Sequence, residues 1–400
     1  MLRLLPLALT LIAASCSEPA PQTDTTAPIA PPSDGMLAAA GLLDAPQTAV
    51  EALAPFYAQL EYDPPIASPT PPMPQGALTS IAFGSCNTAE REIAILNTIA
   101  AQDHDLFLYI GDNVYGDAYA YDASLPELRA AYHQLADRPE FQALRARFPM
   151  LATWDDHDYG MNDAGARFAF KGFAETLFLD FWGAEADDPR RAREGIYDAQ
   201  TFGPEGRRVQ IILLDTRYFR SDLTRTPQRG APGRERYIPS QDPDQTLLGA
   251  EQWDWLEAQL REPADVRLLV SSIQVHADGH GWEAWRTMPR ERDRLYALIE
   301  ETGANGVVLV SGDRHSSGLY VREDVASYPL YEITSSSLNM SFADENNEPG
   351  PHRIGDMYAP VNYGVIGLDW EAGAIALEIR DEAGAVVREQ RIAMGEIGAR

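Results

Sequence analysis

Residues 106–117 read LFLYIGDNVYGD, in which five apolar side chains are followed at once by glycine, aspartate and asparagine. The apolar run Leu106–Ile110 is continuous, a pattern typical of a strand that is covered on both faces. In α/β sheets, ligands bind beyond the carboxyl ends of the strands. The segment therefore predicts a buried strand that leads directly into a binding site at Gly111–Asp117.

The same order of apolar run and polar residues recurs five more times along the chain. Each further run ends in a short stretch of ligand-type side chains: 84–87 (GSCN), 154–159 (WDDHDY), 215–217 (DTR), 271–276 (SSIQVH) and 311–315 (SGDRH). Because the ends of neighbouring parallel strands meet at one edge of a sheet, we expect all six stretches to converge in space.

Alternating strand and helix patterns predict an α/β core with helices on both faces. Besides Leu106–Ile110, the predicted strands are Thr79–Phe83, Met150–Trp154, Val209–Leu214, Val266–Ile273 and Gly306–Val310. Helical spacing predicts helices over Ala49–Leu60, Ala89–Ala101, Leu125–Arg147, Gln245–Leu260 and Arg290–Glu301. The tail has the pattern of a three-stranded antiparallel meander over Tyr363–Trp370, Ala374–Arg380 and Ala385–Met394.

The composition is that of a soluble globular protein, with 45% hydrophobic and 23% charged residues in a chain of 400. Acidic residues outnumber basic ones by 60 to 32, which gives a formal net charge of -28. A field of that sign repels nucleic acids and anionic membrane surfaces, so we expect no nucleic-acid-binding surface. An anionic substrate needs local positive charge, which bound metal ions supply.

The N-terminus has the features of a targeting segment. Leu4–Ala14 is an apolar stretch too short to span a bilayer, and small residues lead into Cys16. This resembles the lipobox of bacterial lipoproteins, which implies a signal peptide over 1–16, a lipidated Cys16 and export to the periplasm or outer membrane. Secretion without lipid is the alternative. Residues 17–76 read as a Pro-rich tether and linker, and 77–400 as one domain.

The chain has only two cysteines, Cys16 and Cys86. If Cys16 carries a lipid, no intramolecular disulfide can form, even in an oxidising compartment. Cys86 is then a free thiol outside the cytoplasm, and it is either buried and inert or a metal ligand.

Single motifs of this kind are weak evidence, because an aspartate after a strand is often a turn or helix-cap residue. A lone histidine is usually packed or on the surface, and His104, His133 and His352 are interpreted so. The run 155–158, DDHD, differs from these cases. Its three carboxylates repel one another, and such a run at a buried strand end indicates a bound cation.

The ordered series FGSC (83–86), GDNVY (111–115), DDHD (155–158) and SGDRH (311–315) resembles the metallophosphoesterase superfamily. Within it, the chain is similar to the PhoD-like (alkaline phosphatase D) family. The resemblance covers about residues 77–345. It implies a four-layer α/β/β/α sandwich with a metal site at the edge where the strand ends meet.

The resemblance also implies which residues bind metal. Asp112 would bridge two ions, since one carboxylate can bind two cations. The implied ligands of a ferric ion are Cys86, Tyr115 and His315. Asp156 and Asp313 would hold the second ion, and their hard oxygen atoms favour calcium.

Two further residues are candidates for catalysis. His157 would stabilise the developing charge or protonate the leaving group. Arg217 would hold a phosphate oxygen or, alternatively, form an ion pair with a nearby carboxylate. Gln274, His276 and His280 lie after a predicted strand, where the superfamily often has a ligand histidine. Their roles as ligands, substrate contacts or surface residues stay open.

The predicted function is hydrolysis of phosphomonoesters or phosphodiesters by a metal-bound hydroxide in the cell envelope. Two metal ions clamp the phosphate and lower the pKa of a bound water. The alternative is an envelope lipoprotein that binds metal without catalysis. We expect a monomer that meets the membrane only through its lipid anchor, with the loop Ser316–Tyr331 and the region Phe342–Met357 shaping the substrate mouth.

Overall fold

The computed structural model describes residues 46–342, 348 and 350–399. The expected signal peptide 1–16 and the Pro-rich run 17–35 lie outside these residues. Within the described part of the chain, none of the helices combines the length and the hydropathy that a bilayer span requires.

The described residues form strands and helices that alternate over most of the chain. The strands are β1 (Ser80–Gly84), β2 (Leu106–Ile110), β3 (Met150–Thr153), β4 (Asp198–Phe202), β5 (Val209–Leu213), β6 (Val266–Val270), β7 (Val307–Ser311), β8 (Ser317–Arg322), β9 (Leu330–Thr334), β10 (Arg353–Tyr358), β11 (Asn362–Asp369), β12 (Ala374–Asp381) and β13 (Val386–Ala393). The α-helices are α1 (Pro46–Tyr57), α2 (Ala94–Ala100), α3 (Pro126–Asp137), α4 (Pro139–Arg147), α5 (Asp156–Tyr159), α6 (Lys171–Trp182), α7 (Gly249–Arg261) and α8 (Pro289–Thr302).

The strands form two mixed sheets. The six-stranded sheet has the order β13-β12-β11-β1-β2-β3, and the seven-stranded sheet has the order β10-β8-β9-β7-β6-β5-β4. Strands β1, β2 and β3 are parallel, as are β5, β6, β7 and β9. The carboxyl ends of these parallel strands therefore share one edge of each sheet, and that edge carries the ligand-type residues.

Three apolar clusters account for the packing. One combines inward-facing residues of both sheets, such as Ile81 and Leu108 with Ile211 and Val308. A second joins helices α2 to α6 with the six-stranded sheet, and a third joins α7 and α8 with the seven-stranded sheet. The predicted α/β class is confirmed.

The structure corrects two predictions about secondary structure. The single helix expected over Leu125–Arg147 is two helices, because Arg138 is extended (φ -69°, ψ 121°) in front of Pro139, which disfavours helical backbone at the preceding residue. The expected loop Ser316–Tyr331 is wrong, since it contains β8 and the start of β9. Its Leu319, Tyr320 and Val321 side chains suit a strand that pairs with β9.

Candidate metal centre

Residues that follow four strands meet at the shared edge of the two sheets. The ligand atoms of Cys86, Asp112 and His315 lie within 4.8 Å of one another. The same limit holds for Asp112, Asp155, Asp156 and Asp313 as a second group. Asp112 belongs to both groups, and the family resemblance implied a bridging carboxylate at this residue. We refer to Cys86, Asp112, Tyr115, Asp156, Asp313 and His315 as the ligand cluster.

The first group is arranged around one oxygen of Asp112. The Cys86 Sγ lies 3.4 Å from Asp112 Oδ2, and the Tyr115 hydroxyl lies 3.2 Å from the same oxygen. The Tyr115 hydroxyl is also 3.5 Å from His315 Nε2. His315 Nδ1 lies 2.5 Å from the Met340 carbonyl oxygen, which accepts its proton. The Nε2 lone pair is therefore left to face the cluster, as a ligand histidine requires.

The second group consists of carboxylates with unused oxygen atoms. Among the described residues, Asp112 Oδ1 and Asp156 Oδ1 are buried and have no hydrogen-bond partner. A buried carboxylate oxygen without a partner is costly, and a cation relieves that cost. The donor set of thiol, phenol, imidazole and carboxylate fits one ion that accepts softer ligands and one hard ion.

The backbone of the cluster is strained at four of its ligands. Cys86, Asp112, Asp313 and His315 have φ angles of 57°, 48°, 63° and 54°. Left-handed backbone is uncommon for residues with a side chain, and such strain gathers at functional sites. Gly111 makes the turn possible, since it has a φ of 114° and a Cβ there would lie 2.6 Å from the Asp155 Cβ.

One acid of the DDHD run is structural. Asp158 is fully buried, and its carboxylate accepts hydrogen bonds from the backbone N–H groups of Asp112 (3.1 Å), Asn113 (3.3 Å) and Asp155 (2.7 Å). It thereby ties the residues after β2 to those after β3. Burial raises the pKa of Asp158 to about 7, although these N–H groups favour its charged form.

Arg217 lies behind the cluster and is fully buried. Its Nε donates to Asp155 Oδ1 at 2.6 Å, and its Nη1 to Glu283 Oε2 at 2.7 Å. Arg220 Nε lies 3.0 Å from the other oxygen of Glu283. We refer to Asp155, Glu283, Arg217 and Arg220 as the arginine-paired cluster. The geometry corresponds to the second alternative for Arg217, an ion pair, and leaves no exposed surface to contact a phosphate.

His157 borders the ligand cluster, and its side chain is 16% exposed. Its Nδ1 lies 2.6 Å from Asp117 Oδ2, and its Nε2 lies 4.0 Å from Asp156 Oδ1. The other Asp117 oxygen accepts the backbone N–H of Asn162 at 2.6 Å. Asp117 was not singled out from the sequence as a candidate for function, although it is the second aspartate of GDNVYGD and lies in the same segment as Asp112.

Four groups of the ligand cluster have a raised pKa, because burial disfavours their charged forms. Burial, with repulsion from neighbouring acids, raises the pKa of Asp112 and of Asp313 well above the usual range. Burial and the Asp112 carboxylate likewise raise the pKa of Cys86 and of Tyr115. Bound cations reverse these shifts and release protons, because they favour thiolate, phenolate and carboxylate.

The pKa of the imidazole and that of the remaining acid of the ligand cluster are lowered rather than raised. Burial lowers the pKa of His315 to about 4, which keeps its ring neutral. Burial also opposes the charge on His157, but Asp156, Asp117 and Asp112 together raise its pKa well above 6.5. In turn, His157 and Arg217 lower the pKa of Asp156 despite its burial.

The three residues whose roles were open are buried, so the surface interpretation of His276 and His280 is wrong. His276 is hydrogen-bonded to the Tyr296 hydroxyl (2.8 Å) and to the Leu330 carbonyl (3.1 Å). His280 Nε2 lies 2.9 Å from Gln274 Oε1, and the Gln274 amide donates to Thr334. These contacts fix the residues after β6. None of the three belongs to a ligand group of the described residues.

The other histidines also lie elsewhere. His104, His133 and His352 pair with Ser80, with the Asp63 carbonyl and with Asp278, respectively. A different residue supports the site without any sequence signal: Ser336. Its hydroxyl lies 3.0 Å from Cys86 Sγ and accepts the His315 backbone N–H at 2.8 Å. Within the sequence it is only the middle serine of three.

Comparison with known proteins gives a consistent result. A family model described as PhoD-like phosphatase matches residues 81–362. Alkaline phosphatase D of Bacillus subtilis (strain 168) is 26% identical over 281 residues, which make up 60% of this chain and 46% of that protein. The chain thus spans about half the length of this relative.

Two solved structures share the fold. One, described as the structure of PhoD, aligns with a TM-score of 0.61 and 19% identity over 80% of this chain and 69% of its own. The other is GAP50, the anchor in the inner membrane complex of Plasmodium, with a TM-score of 0.51 and 13% identity over 79% of this chain and 89% of its own. At these identities the likeness establishes the fold alone.

Proposed function

Because this chain belongs to the PhoD-like phosphatase family, we propose that it hydrolyses phosphate esters at the ligand cluster, with bound metal ions. The observation that carries the proposal is the convergence of thiol, phenol, imidazole and carboxylate groups around Asp112, with buried carboxylate oxygens left without partners among the described residues. Such a set is costly to bury unless it holds cations.

The proposed ligands divide into two sets that share Asp112. Cys86, Tyr115 and His315 would hold a ferric ion, since thiolate and phenolate suit it. Asp156 and Asp313 would hold calcium through hard oxygen atoms. When bound, the two cations neutralise the charge of the ester and lower the pKa of the attacking water.

The protein's own groups supply orientation and the proton. Asp117 fixes the His157 ring through Nδ1, so that Nε2 points towards the cluster at Asp156. From there the Nε2–H can be donated to the oxygen of the leaving alcohol. Arg217 does not enter this scheme as a substrate contact, since it is buried. It holds Asp155 instead and so positions the residues after β3.

Several finer features belong to the proposal. The three apolar clusters support a four-layer α/β/β/α arrangement in which β11, β12 and β13 form a meander. The motif at Cys16 supports a signal peptide over 1–16, a tether and linker over 17–76 and an enzyme domain over 77–400. The enzyme would then work as a monomer in the cell envelope, in the periplasm or anchored to the outer membrane.

The test is hydrolysis of a chromogenic phosphomonoester and of the corresponding diester by the purified full chain. We expect turnover that a chelator abolishes and that added iron and calcium restore. The ratio of the two rates defines the preference between monoester and diester. Absence of turnover with both metals loaded would reject the proposal in favour of a metal-binding protein without catalysis.

A further inference from the structure

Two exposed aromatic side chains flank the ligand cluster. The described residues leave five large apolar side chains exposed: Phe56, Ile66, Tyr119, Phe342 and Val386. Tyr119 is 49% exposed and Phe342 is 45% exposed. Single exposed apolar residues are common and need no explanation. These two differ because each is in direct contact with a group of the proposed active site.

Phe342 is held against the proposed ligand His315. The two rings are stacked with their centroids 4.0 Å apart and their planes 20° apart. The Phe342 backbone N–H also donates to the His315 carbonyl at 3.2 Å. A ring that has one face on an imidazole and nearly half of its surface in solvent offers its other face to a ligand.

Tyr119 stands on the side of His157. Its backbone N–H donates to the Asp117 carbonyl at 2.8 Å, and its hydroxyl lies beside the Asp117 carboxylate that orients His157. Between the two ends lies Tyr115, whose ring centroid is 4.2 Å from that of His157 and 6.4 Å from that of His315. The rings of His157, Tyr115, His315 and Phe342 thus follow one another along the ligand cluster, and Tyr119 adjoins them through Asp117.

We propose that Tyr119 and Phe342 select phosphate esters whose alcohol carries a flat aromatic ring, which stacks on Phe342 while the phosphate lies at the ligand cluster. This rests on the proposed function and adds a substrate class to it. Because Phe342 stacks on the proposed ligand His315, an alcohol group that extends past His315 meets the exposed face of Phe342. A substrate with an aromatic ring gains stacking on Phe342 in addition to apolar contact.

Such a ring has two sources, a nucleotide base or a simple aryl alcohol, and matched pairs of esters separate them. Adenosine 5′-phosphate against ribose 5-phosphate tests the base. 2-Phenylethyl phosphate against ethyl phosphate tests the aryl group, with the same class of primary leaving group in each pair. We expect the aromatic member of each pair to have a lower KM, by about tenfold in the pair with the preferred ring, with little change in kcat.

Binding without turnover gives an independent readout. By calorimetry, 2-phenylethylphosphonate should bind the metal-loaded protein about tenfold more tightly than ethylphosphonate. The 2-cyclohexylethyl analogue should bind about threefold more weakly than the phenyl compound, because it is apolar but cannot stack. Phe342→Ala should bring the phenyl and ethyl compounds within about twofold of each other, whereas Phe342→Tyr keeps the preference.

Phe56→Ala is the matched control, since Phe56 is 43% exposed and packs on Tyr57 of α1. It should leave every affinity unchanged, and Tyr119→Ala should weaken the preference while Tyr119→Phe retains it. An equal affinity for the phenyl and ethyl phosphonates in the wild type would overturn the inference, as would equal binding of the cyclohexyl compound. Failure to hydrolyse any ester would refute the proposed function alone, because the phosphonate preference is measured without catalysis.

Discussion

The ligand cluster and the arginine-paired cluster are both buried and both rich in carboxylates, yet only in the second are the acids paired directly with arginines. In the arginine-paired cluster, Asp155 and Glu283 are bonded to Arg217 and Arg220. In the ligand cluster, Asp112 and Asp156 each retain an oxygen without a partner among the described residues. Asp155 marks the border, since its Oδ1 is bonded to Arg217 and its Oδ2 is unpartnered within the same residues.

In the proposed function, this difference separates the acids that hold the structure from those that bind cations. A buried ion pair holds a fixed geometry without help from solution, although it adds little net stability. In the ligand cluster, burial and repulsion between acids raise the pKa of Asp112 and of Asp313, and bound cations would reverse these shifts. The left-handed backbone at Cys86, Asp112, Asp313 and His315 points the same way, because strain of this kind persists where function requires it.

The largest expected effect comes from neutralising an acid of the ligand cluster. Asp112→Asn should lower kcat/KM by on the order of 10³-fold, because a shared ligand of both proposed ions is lost. The same change should raise the free energy of unfolding of the cation-free protein, since it removes repulsion between buried acids. Kinetics and urea denaturation in chelator measure the two effects. A variant that lost stability in chelator would show that Asp112 is structural.

Removing a guanidinium group from the arginine-paired cluster should instead lower the free energy of unfolding of the cation-free protein. Arg217→Met leaves Asp155 and Glu283 buried without their partner and should cost about 3–5 kcal/mol of stability in chelator. Arg261→Met is the matched control, because Arg261 pairs with Glu257 on the exposed face of α7 at 2.7 Å. Such pairs contribute about 0.5 kcal/mol. If the two substitutions had equal cost by urea denaturation, the two clusters would not differ as described.

In the proposed mechanism, Asp117 supports catalysis from outside both clusters. Asp117→Asn keeps the size of the side chain but weakens its hold on His157 Nδ1, so kcat should fall by about 10²-fold. Metal content should stay that of the wild type, because Asp117 is no ligand. Parallel measurement of kcat and of bound metal tests this. Loss of metal together with activity would assign Asp117 to the ligand cluster instead.

Another buried acid, Glu175 of α6, belongs to neither cluster. Burial, with repulsion from Asp215 and Glu194, raises its pKa from 4.5 to about 9. Between these values the unfolded chain releases the proton while the folded protein keeps it, so the contribution of Glu175 to stability is lost as pH rises.

Glu175→Gln should remove this loss. Relative to the wild type, the variant should gain about 2–3 kcal/mol of stability between pH 5 and pH 7, from 1.36 kcal/mol per pH unit for one group. Urea denaturation at both pH values measures the gain. Glu257→Gln, on an exposed face, serves as the control and should show no such gain. An unchanged pH dependence in Glu175→Gln would mean that this carboxyl is ionised in the folded protein.

The α/β class could be predicted because buried parallel strands leave continuous apolar runs such as Leu106–Ile110. The candidate ligands could be found because each follows such a run directly, as Asp112 follows β2. Strand β8 was missed because it is stabilised by its pairing with β9, and such pairing cannot be predicted from the residues of one segment. Helix α6 was missed because it is apolar on nearly all sides, and burial removes the amphipathic period.

The remaining parts of the site depend on tertiary contacts. Sequence cannot tell an arginine that meets phosphate from one that is buried in an ion pair, and Arg217 required its partners Asp155 and Glu283 to be known. Ser336 reaches His315 because β7 and β9 are neighbours in one sheet, and it reaches Cys86, which follows β1 of the other sheet, because the two sheets meet at this edge. The left-handed backbone at the ligands likewise depends on packing. Glycine is the residue that usually adopts such angles, so these ligands gave no sign of them in the sequence.

The most direct test of the central claim is elemental analysis of the full chain purified without chelators, beside the Asp112→Asn and Arg261→Met variants. We expect about two metal ions per wild-type chain, iron and calcium, the same content in Arg261→Met and a clear loss in Asp112→Asn. Equal metal content in all three proteins, or a wild-type protein that binds none, would contradict it.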